Sequence, residues 1–247
     1  MHGFSTSETG SVGLTHAPDS AAVLAARRRF AEELGIDPSS FTVAGAVHGC
    51  TVDRVDRPVE LIPGVDGLVS NRRGVALFAT YADCLPLLAY DPQAGAIGLA
   101  HAGWRGTRGG VGGALVAAFQ AHFGSRPEDL VVGLGPCICG NCYEVGPEFA
   151  DLFPPDVLAP GRGDRLRLDL REANRRQLTE AGVPGDRIET LDICTYESDR
   201  FYSHRRFPDG SAPSTSHTHT ARSPTRPRRC SGTTTPAASS TSSPAPR

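Results

Sequence analysis

One stretch constrains this chain more than any other: residues 81–111, YADCLPLLAYDPQAGAIGLAHAGWRGTRGGV. It reads as strand, turn, strand and then a glycine-rich loop that opens a helix. That order puts Cys84 and His101 at the edges of one apolar hairpin. Upstream, AVHGC brings a second imidazole, His48, to the end of another hydrophobic run that stops at a glycine. Two His and one Cys form the kind of three-ligand set that leaves zinc a fourth position open for water or substrate. The rest of the chain reads as scaffold for that set.

With 247 residues and 39% hydrophobic content, the chain is long enough to bury a sizeable core without staples. Formal net charge is −2, but residues 207–247 hold five Arg against one Asp, which leaves residues 1–206 at −6. A mildly acidic folded part is no general nucleic-acid binder. All 25 basic residues are Arg, so lysine chemistry, by Schiff base or general base, is excluded. No basic and apolar leader opens the chain, and no stretch approaches the ~20 apolar residues of a membrane span. The expectation is a cytoplasmic protein with no membrane partner. Seven Cys, an odd number in no regular framework, point to reduced thiols, some of them ligands.

Taken in order, a short strand is expected over residues 2–5. Asp19 or Ser20 then caps a helix whose apolar positions Val23, Ala26, Phe30, Ala31 and Leu34 recur at helical spacing before Gly35. FTVAGAVHG predicts a strand with His48 near its end. Residues 74–80 and 85–90 predict two further apolar strands, with Pro86 marking a strand start, edge or bulge. The backbone must bend between them, at the Asp83-Cys84 pair. After the strand that ends at His101, glycines 103, 106, 109 and 110 allow a tight connection into a helix running to about His122. Such a loop exposes backbone N–H groups at a helix start, and Arg105 and Arg108 add charge, so phosphate or carboxylate is the expected ligand. The alternative is a glycine turn packed close against a neighbouring strand, with Trp104 as a core anchor.

Cys137, Cys139 and Cys142 follow in C-x-C-x-x-C spacing. No further Cys or His lies close in sequence to complete a four-ligand set, so a packed loop closing over the site is expected, with Tyr143 and Glu144 as polar contributors. LRLDLREANRRQLTEAGVP leads into a helix with Leu170, Ala173, Asn174 and Leu178 on one face. A strand carrying Cys194 and a short turn through Phe201, Tyr202 and His204 come last.

These motifs together resemble one family, the multicopper polyphenol oxidoreductases or laccase-like proteins, also called purine nucleoside phosphorylases of the laccase-domain type. The residues that carry the resemblance are Val47-His48-Gly49, the runs 82–87, 101–106 and 142–146, Gly135-Pro136, Leu168-Asp169-Leu170 with Asn174, Cys194-Thr195 and the run 201–206. The resemblance implies that His48, Cys84 and His101 are zinc ligands and that Arg105 matches the arginine following them. It implies an α/β fold of mixed β-sheets packed together, two in number, with flanking helices in α/β/β/α layers, as a single domain over residues 1–206. Two departures stand out: Ala46 replaces the usual Gln before Val-His-Gly, and Cys137 and Cys139 stand where small residues are more usual.

A larger departure follows Arg206. Members of the family continue into a final apolar strand, whereas residues 207–247 contain 24 Ser, Thr or Pro and no Val, Leu, Ile or Met. That composition cannot bury a core and is expected to be disordered. A shifted reading frame near Arg206 would produce it, and a genuine flexible tail is the alternative. His217 and His219 in the tail read as incidental.

Zinc held by two imidazoles and a thiolate suits hydrolytic deamination of a purine. Phosphorolysis needs phosphate near the ribose C1′; Arg105 and Gly106, at the glycine-rich helix start, are the candidates for holding it, and Asp83 is the candidate for proton transfer. The resemblance attributes both activities to the family. The expected function is therefore a zinc-dependent purine nucleoside phosphorylase with adenosine deaminase activity, with a purine nucleoside and phosphate as its partners. A copper laccase, as the family label suggests, needs paired His-x-His motifs, and none of the six His of residues 1–206 is so paired. The family also includes factors linked to peptidoglycan editing, so an amidase-type hydrolase with Cys84 as nucleophile and His101 as base is the second enzyme class. A non-enzymatic binding module is the third.

Overall fold

The computed structural model describes residues 1–14 and 19–207. The expected tail lies outside the described residues from residue 208 onward, with His217 and His219. Alternation along the central hairpin sets the layers. Strands β6 (Leu85–Asp91) and β7 (Ala96–Ala102) pair antiparallel, with Leu85 opposite Ala102 and Pro86 opposite His101. Successive side chains point to opposite faces. Leu85, Leu87, Ala89, Ala96, Ala100 and Ala102 enter one hydrophobic core, while Leu88 and Leu99 belong to another. Both faces are covered, which is why the two runs read as continuously apolar.

This hairpin forms the middle of a six-stranded sheet in the order β12-β8-β6-β7-β4-β2. Its other strands are β2 (Val52–Arg54), β4 (Gly67–Ser70), β8 (Val131–Leu134) and β12 (Ile188–Thr190). β8 and β4 run antiparallel to the hairpin strands beside them, and the edge strands β12 and β2 run parallel to their neighbours, so the sheet is mixed. Helix α3 (Val111–Phe123) covers one face with Val111, Leu115, Val116 and Phe119. Helix α4 (Leu170–Glu180) packs beside it, burying the Leu170, Ala173, Asn174 and Leu178 face that its periodicity predicts.

On the other face lies a small parallel sheet, β3-β1-β5, made of β1 (Phe41–Gly45), β3 (Leu61–Pro63) and β5 (Ala76–Phe78). Ala44, Val55, Val65, Leu68, Val75 and Leu99 fill the space between the two sheets. Helix α1 (Ser20–Glu33), capped by the Asp19 carboxylate, closes the far side with Phe30 against Val43 and Phe78. The order is helix, small sheet, large sheet, helices, as expected. A third sheet, antiparallel, adds to the two anticipated: β10 (Leu158–Pro160), β11 (Leu166–Leu168) and β9 (Glu144–Val145). No described helix is long and apolar enough to cross a membrane.

Four local expectations fail, the first at Cys194, which lies beyond the end of β12 in an isolated bridge to Cys137 and not within a strand. Residues 2–5 form no strand, because they find no partner edge. The strand expected over residues 74–80 shortens to β5. The glycine-rich connection is itself helical: α2 (Trp104–Arg108) starts directly after Gly103, and the break comes at Gly109-Gly110, where Gly110 has φ 85°. Trp104 packs on Phe149 with ring centroids 5.0 Å apart, and buried Asn174 donates to the Thr107 hydroxyl at 2.9 Å, so side chains on both flanks hold the short helix.

Helix α3 approaches the sheet closely only because β7 lacks a side chain at Gly98. A Cβ there would lie 2.6 Å from Phe119 Cε2 and 3.1 Å from Leu115 Cδ1. Gly98→Ala is expected to cost about 1–3 kcal/mol of stability by overpacking. Because the two sites touch, the double variant Gly98→Ala/Phe119→Leu is expected to lose less than the sum of the two single changes. Urea denaturation of the three variants measures both effects.

Candidate active site

The register of the central hairpin brings the first two candidate residues together. His101 sits opposite Pro86, so Cys84, two residues before Pro86, falls diagonally beside His101 on the same face. His48 arrives from the loop after β1. A ring nitrogen of each His and the Cys84 sulfur lie within 4.8 Å of one another. The rings of His48 and His101 meet edge to face at 4.9 Å. Gly103 makes the space: a Cβ there would lie 3.0 Å from both Cys84 Sγ and His48 Cδ2.

Two non-glycine residues have positive φ among those described, His48 at 62° and Asp83 at 80°. Each belongs to a loop that carries a residue of this cluster, and each loop is held by a carboxylate. For the first loop that carboxylate is Asp66, 0% exposed, whose Oδ2 accepts from Gly49 N–H at 2.8 Å and Val47 N–H at 3.4 Å. Its Oδ1 lies 3.3 Å from His101 Nδ1, and its backbone carbonyl accepts the His101 N–H at 2.6 Å. An ionised carboxylate can only accept, so Nδ1 carries a proton and Nε2 is the nitrogen that can serve a ligand once its own proton is lost. Burial works to raise the Asp66 pKa, but the bonds from His101, Gly49 and Val47 outweigh it and hold the acid below the usual carboxylate range.

Around Cys84, burial pushes the thiol up, yet hydrogen bonds with His101 and His48 bring it down to about 7. His101 moves the other way: burial lowers it, while Asp66 and Cys84 raise it to about 9. The pair thus favours a Cys84 thiolate beside a protonated His101. Tyr81 closes one side, its ring 5.5 Å from His101 and its hydroxyl donating to the Ala100 carbonyl at 3.4 Å.

Asp83, the candidate for proton transfer, has its carboxylate engaged by hydrogen bonds. Its Oδ1 accepts from the Thr195 hydroxyl at 2.6 Å; its Oδ2 accepts from the Ser203 hydroxyl at 3.0 Å and from the Arg205 N–H at 2.6 Å. Three donors from the end of the described chain converge on one buried carboxylate. The second loop is thereby tied to residues 195–205.

Gly106 is buried inside α2, where a Cβ would lie 2.5 Å from the Gly49 carbonyl oxygen. Close packing between α2 and the His48 loop explains that glycine, and the short helix does not supply the open anion loop expected from sequence. Arg105 is exposed, its guanidinium 4.4 Å from the Trp104 ring, and with Trp104, Arg108 and Gly109 it lines a hollow of about 370 Å³. Tyr143 lies within electrostatic reach of Cys84. Burial first, then the charge at Cys84, pushes its phenol up to about 12, with Arg205 and Arg105 near enough to pull it back in part. The Arg205 guanidinium lies 5.2 Å from the Tyr143 ring and donates to the Glu144 carbonyl at 2.7 Å. Glu144 turns its own carboxylate outward, accepting from the Arg162 N–H at 3.2 Å and lying 3.8 Å from Arg165.

Sequence reasoning missed Asp66, Arg205 and the Asp83 partners Thr195 and Ser203. Asp66 left a trace: an acid between Val65 and the buried run of β4 needs hydrogen-bond partners to be tolerated there. Thr195 and Ser203 stand out in the sequence only within the motifs of the resemblance, and nothing ties them to Asp83, more than a hundred residues upstream.

Known proteins resemble this chain in sequence and in fold. The chain is 38% identical over 212 residues to the purine nucleoside phosphorylase YlmD of Geobacillus stearothermophilus, covering 79% of this chain and 77% of that one. It is 43% identical over 183 residues to a purine nucleoside phosphorylase of Deinococcus radiodurans, covering 73% and 70%. It is 34% identical over 206 residues to adenosine deaminase RL5 of an unknown prokaryotic organism, covering 76% and 78%. The crystal structure of YlmD from Geobacillus stearothermophilus superposes with a TM-score of 0.75 at 37% identity, covering 79% of this chain and 78% of that chain. The family described as multi-copper polyphenol oxidoreductase laccase matches residues 1–214, and this chain belongs to it.

Proposed function

We propose that this chain is a zinc-dependent purine nucleoside phosphorylase with adenosine deaminase activity, acting on adenosine, inosine and guanosine. The observation that carries the reading is the convergence of His48, Cys84 and His101 within 4.8 Å, in a chain whose relatives are named phosphorylase and deaminase. The donor set fits zinc: two imidazoles and a thiol already drawn toward ionisation, with Gly103 leaving the space open and Asp66 orienting one imidazole. Bound there, zinc supplies Lewis-acid activation.

The surrounding residues take defined roles. In phosphorolysis a phosphate oxygen forms a bond to C1′ as the bond from C1′ to the purine nitrogen breaks, and the departing purine takes up a proton. Arg105 and Arg205 bring positive charge to the dianion. Tyr143, kept protonated at neutral pH, offers a neutral O–H donor beside them. Asp83 is a positioning residue in this reading, because three donors already occupy its carboxylate. Deamination uses the same ligand set with water as the nucleophile and ammonia as the product, and has no need of the arginines.

The amidase-type alternative draws on the Cys84–His101 pair, which also suits a thiol nucleophile and its base. Chelation separates the two: a thiol hydrolase keeps its activity when zinc is removed. A polyphenol oxidase would need further copper ligands, and the described residues that could hold metal form only this set and one of three Cys with Glu197.

Chromatography of the products from adenosine and inosine, with and without phosphate, is the deciding experiment. Purine base is expected only when phosphate is present, together with ribose 1-phosphate; equal release without phosphate would instead show hydrolysis. Arg105→Ala is expected to raise the KM for phosphate by about tenfold or more, the loss of one charge-assisted contact of about 1.5–3 kcal/mol, while adenosine deamination and bound zinc are retained. Cys84→Ala is expected to lose the zinc of this site outright. Asp66→Asn is expected to weaken that zinc by about 10–100-fold, read by competition with a chromophoric chelator.

A further inference from the structure

A second group of soft donors lies outside the active site. Cys139, Cys142, Cys194 and Glu197 place their sulfur and carboxylate atoms within 4.8 Å of one another. Two tight turns present them. Cys139-Gly140-Asn141-Cys142 is closed by hydrogen bonds from the N–H of Cys142 and of Tyr143 to the Cys139 carbonyl, at 2.9 and 3.0 Å. Cys194-Thr195-Tyr196-Glu197 is closed by the N–H of Ser198 to the Cys194 carbonyl at 3.0 Å. Each turn offers its first and fourth residue on one side. The result is a C-x-x-C pair facing a C-x-x-E pair.

Backbone contacts fix the two turns against each other without help from these side chains. Cys137 and Cys194 form a parallel bridge, with Cys137 N–H donating to the Ile193 carbonyl at 3.3 Å and Thr195 N–H to the Cys137 carbonyl at 3.1 Å. Arg171 of α4 spans both segments, donating to the Ile193 carbonyl at 2.5 Å and pairing with Asp192. The Cys139 N–H points at the Cys194 sulfur, 3.4 Å away, and the Cys142 sulfur lies 3.5 Å from a Glu197 oxygen. Gly140 lets the first turn sit against α4, since a Cβ there would lie 3.0 Å from Asp169 Cβ. The cage is therefore preformed.

We infer that Cys139, Cys142, Cys194 and Glu197 form a second, structural zinc site with four protein ligands. A tetrahedral zinc with bonds of ~2.0–2.3 Å needs ligand atoms roughly 3.5–3.8 Å apart, which this cluster reaches with small rotations of side chains. Three thiols select a soft, thiophilic ion over magnesium or calcium, and a closed four-ligand set leaves no position for substrate. Its place in the fold gives it a purpose. One turn leads directly into Tyr143 of the active site, and the other holds Thr195, which donates to Asp83 beside Cys84. An ion there fastens two walls of the active site to each other.

The full-length chain, produced with zinc and purified under reductant, tests this by elemental analysis. About two zinc per chain are expected in the unaltered protein, about one in Cys84→Ala, about one in Cys142→Ser or Cys194→Ser, and none when Cys84→Ala is combined with Cys142→Ser. One zinc in the unaltered protein and in Cys84→Ala, lost in Cys142→Ser, would uphold this site and refute the catalytic one. Equal zinc in Cys142→Ser, Cys194→Ser and the unaltered protein would overturn it. Should those variants fail to fold, cobalt titration of Cys84→Ala answers the question, because among the described residues the cluster of thiols left to hold a metal is then that of the proposed site. Strong thiolate-to-cobalt charge transfer saturating at about one cobalt per chain is expected. Absence of that band, or peptide mapping that finds these cysteines joined as a disulfide in the reduced preparation, would also overturn it.

Discussion

The buried carboxylate of Asp66 is the interaction on which the site depends. It lies with no exposure to solvent, yet it accepts bonds from the loop of His48 and from the ring of His101. A charge in such a place is tolerable only while every donor stays in position, since an unpaired buried carboxylate costs several kcal/mol. The same charge therefore sets the place of one imidazole and the tautomer of the other. Both sheets contribute: β4 brings Asp66, β7 brings His101, and the chain leaving β1 brings His48.

A comparable logic governs the Cys84 side. His48 and Asp83 occupy the left-handed region, where a residue with a side chain gives up about 1–2 kcal/mol. His and Asp tolerate that region better than most residues, and each of these loops is held there by hydrogen bonds of charge-assisted strength. Asp83 holds its own loop through side-chain bonds, whereas Asp66 holds the His48 loop from a different strand. Local strain sits next to the chemistry and is offset by buried polar contacts drawn from distant parts of the chain.

Much of this was legible in the sequence, for reasons that differ residue by residue. The β6–β7 hairpin, α1 and α4 announce themselves through apolar periodicity and caps, and their buried faces match that periodicity. Cys84 and His101 are legible as neighbours because an antiparallel register is a local property of one hairpin. The α2 segment reads as loop because four glycines mask its helical state, which depends on Trp104 packing against Phe149 and Thr107 bonding to α4. Residues 139–142 offered half of a ligand set. The other half was invisible because Cys194 and Glu197 are joined to it by sheet topology and not by spacing.

The clamp on Asp83 also bears on the order in which the molecule can be made. A ribosome delivers Asp83 long before Thr195, Ser203 and Arg205, so the nascent chain holds an acid whose three donors do not yet exist. Until they emerge, that carboxylate gains more from water than from the interior, and nothing holds its backbone in the left-handed region. The hairpin, α3 and the small sheet all precede those donors in the chain, so the residues of the hydrophobic layers are delivered first. The clamp is then the last part of the cleft that can be finished, and a chain that stops before Thr195 lacks it even when most of its core residues are present.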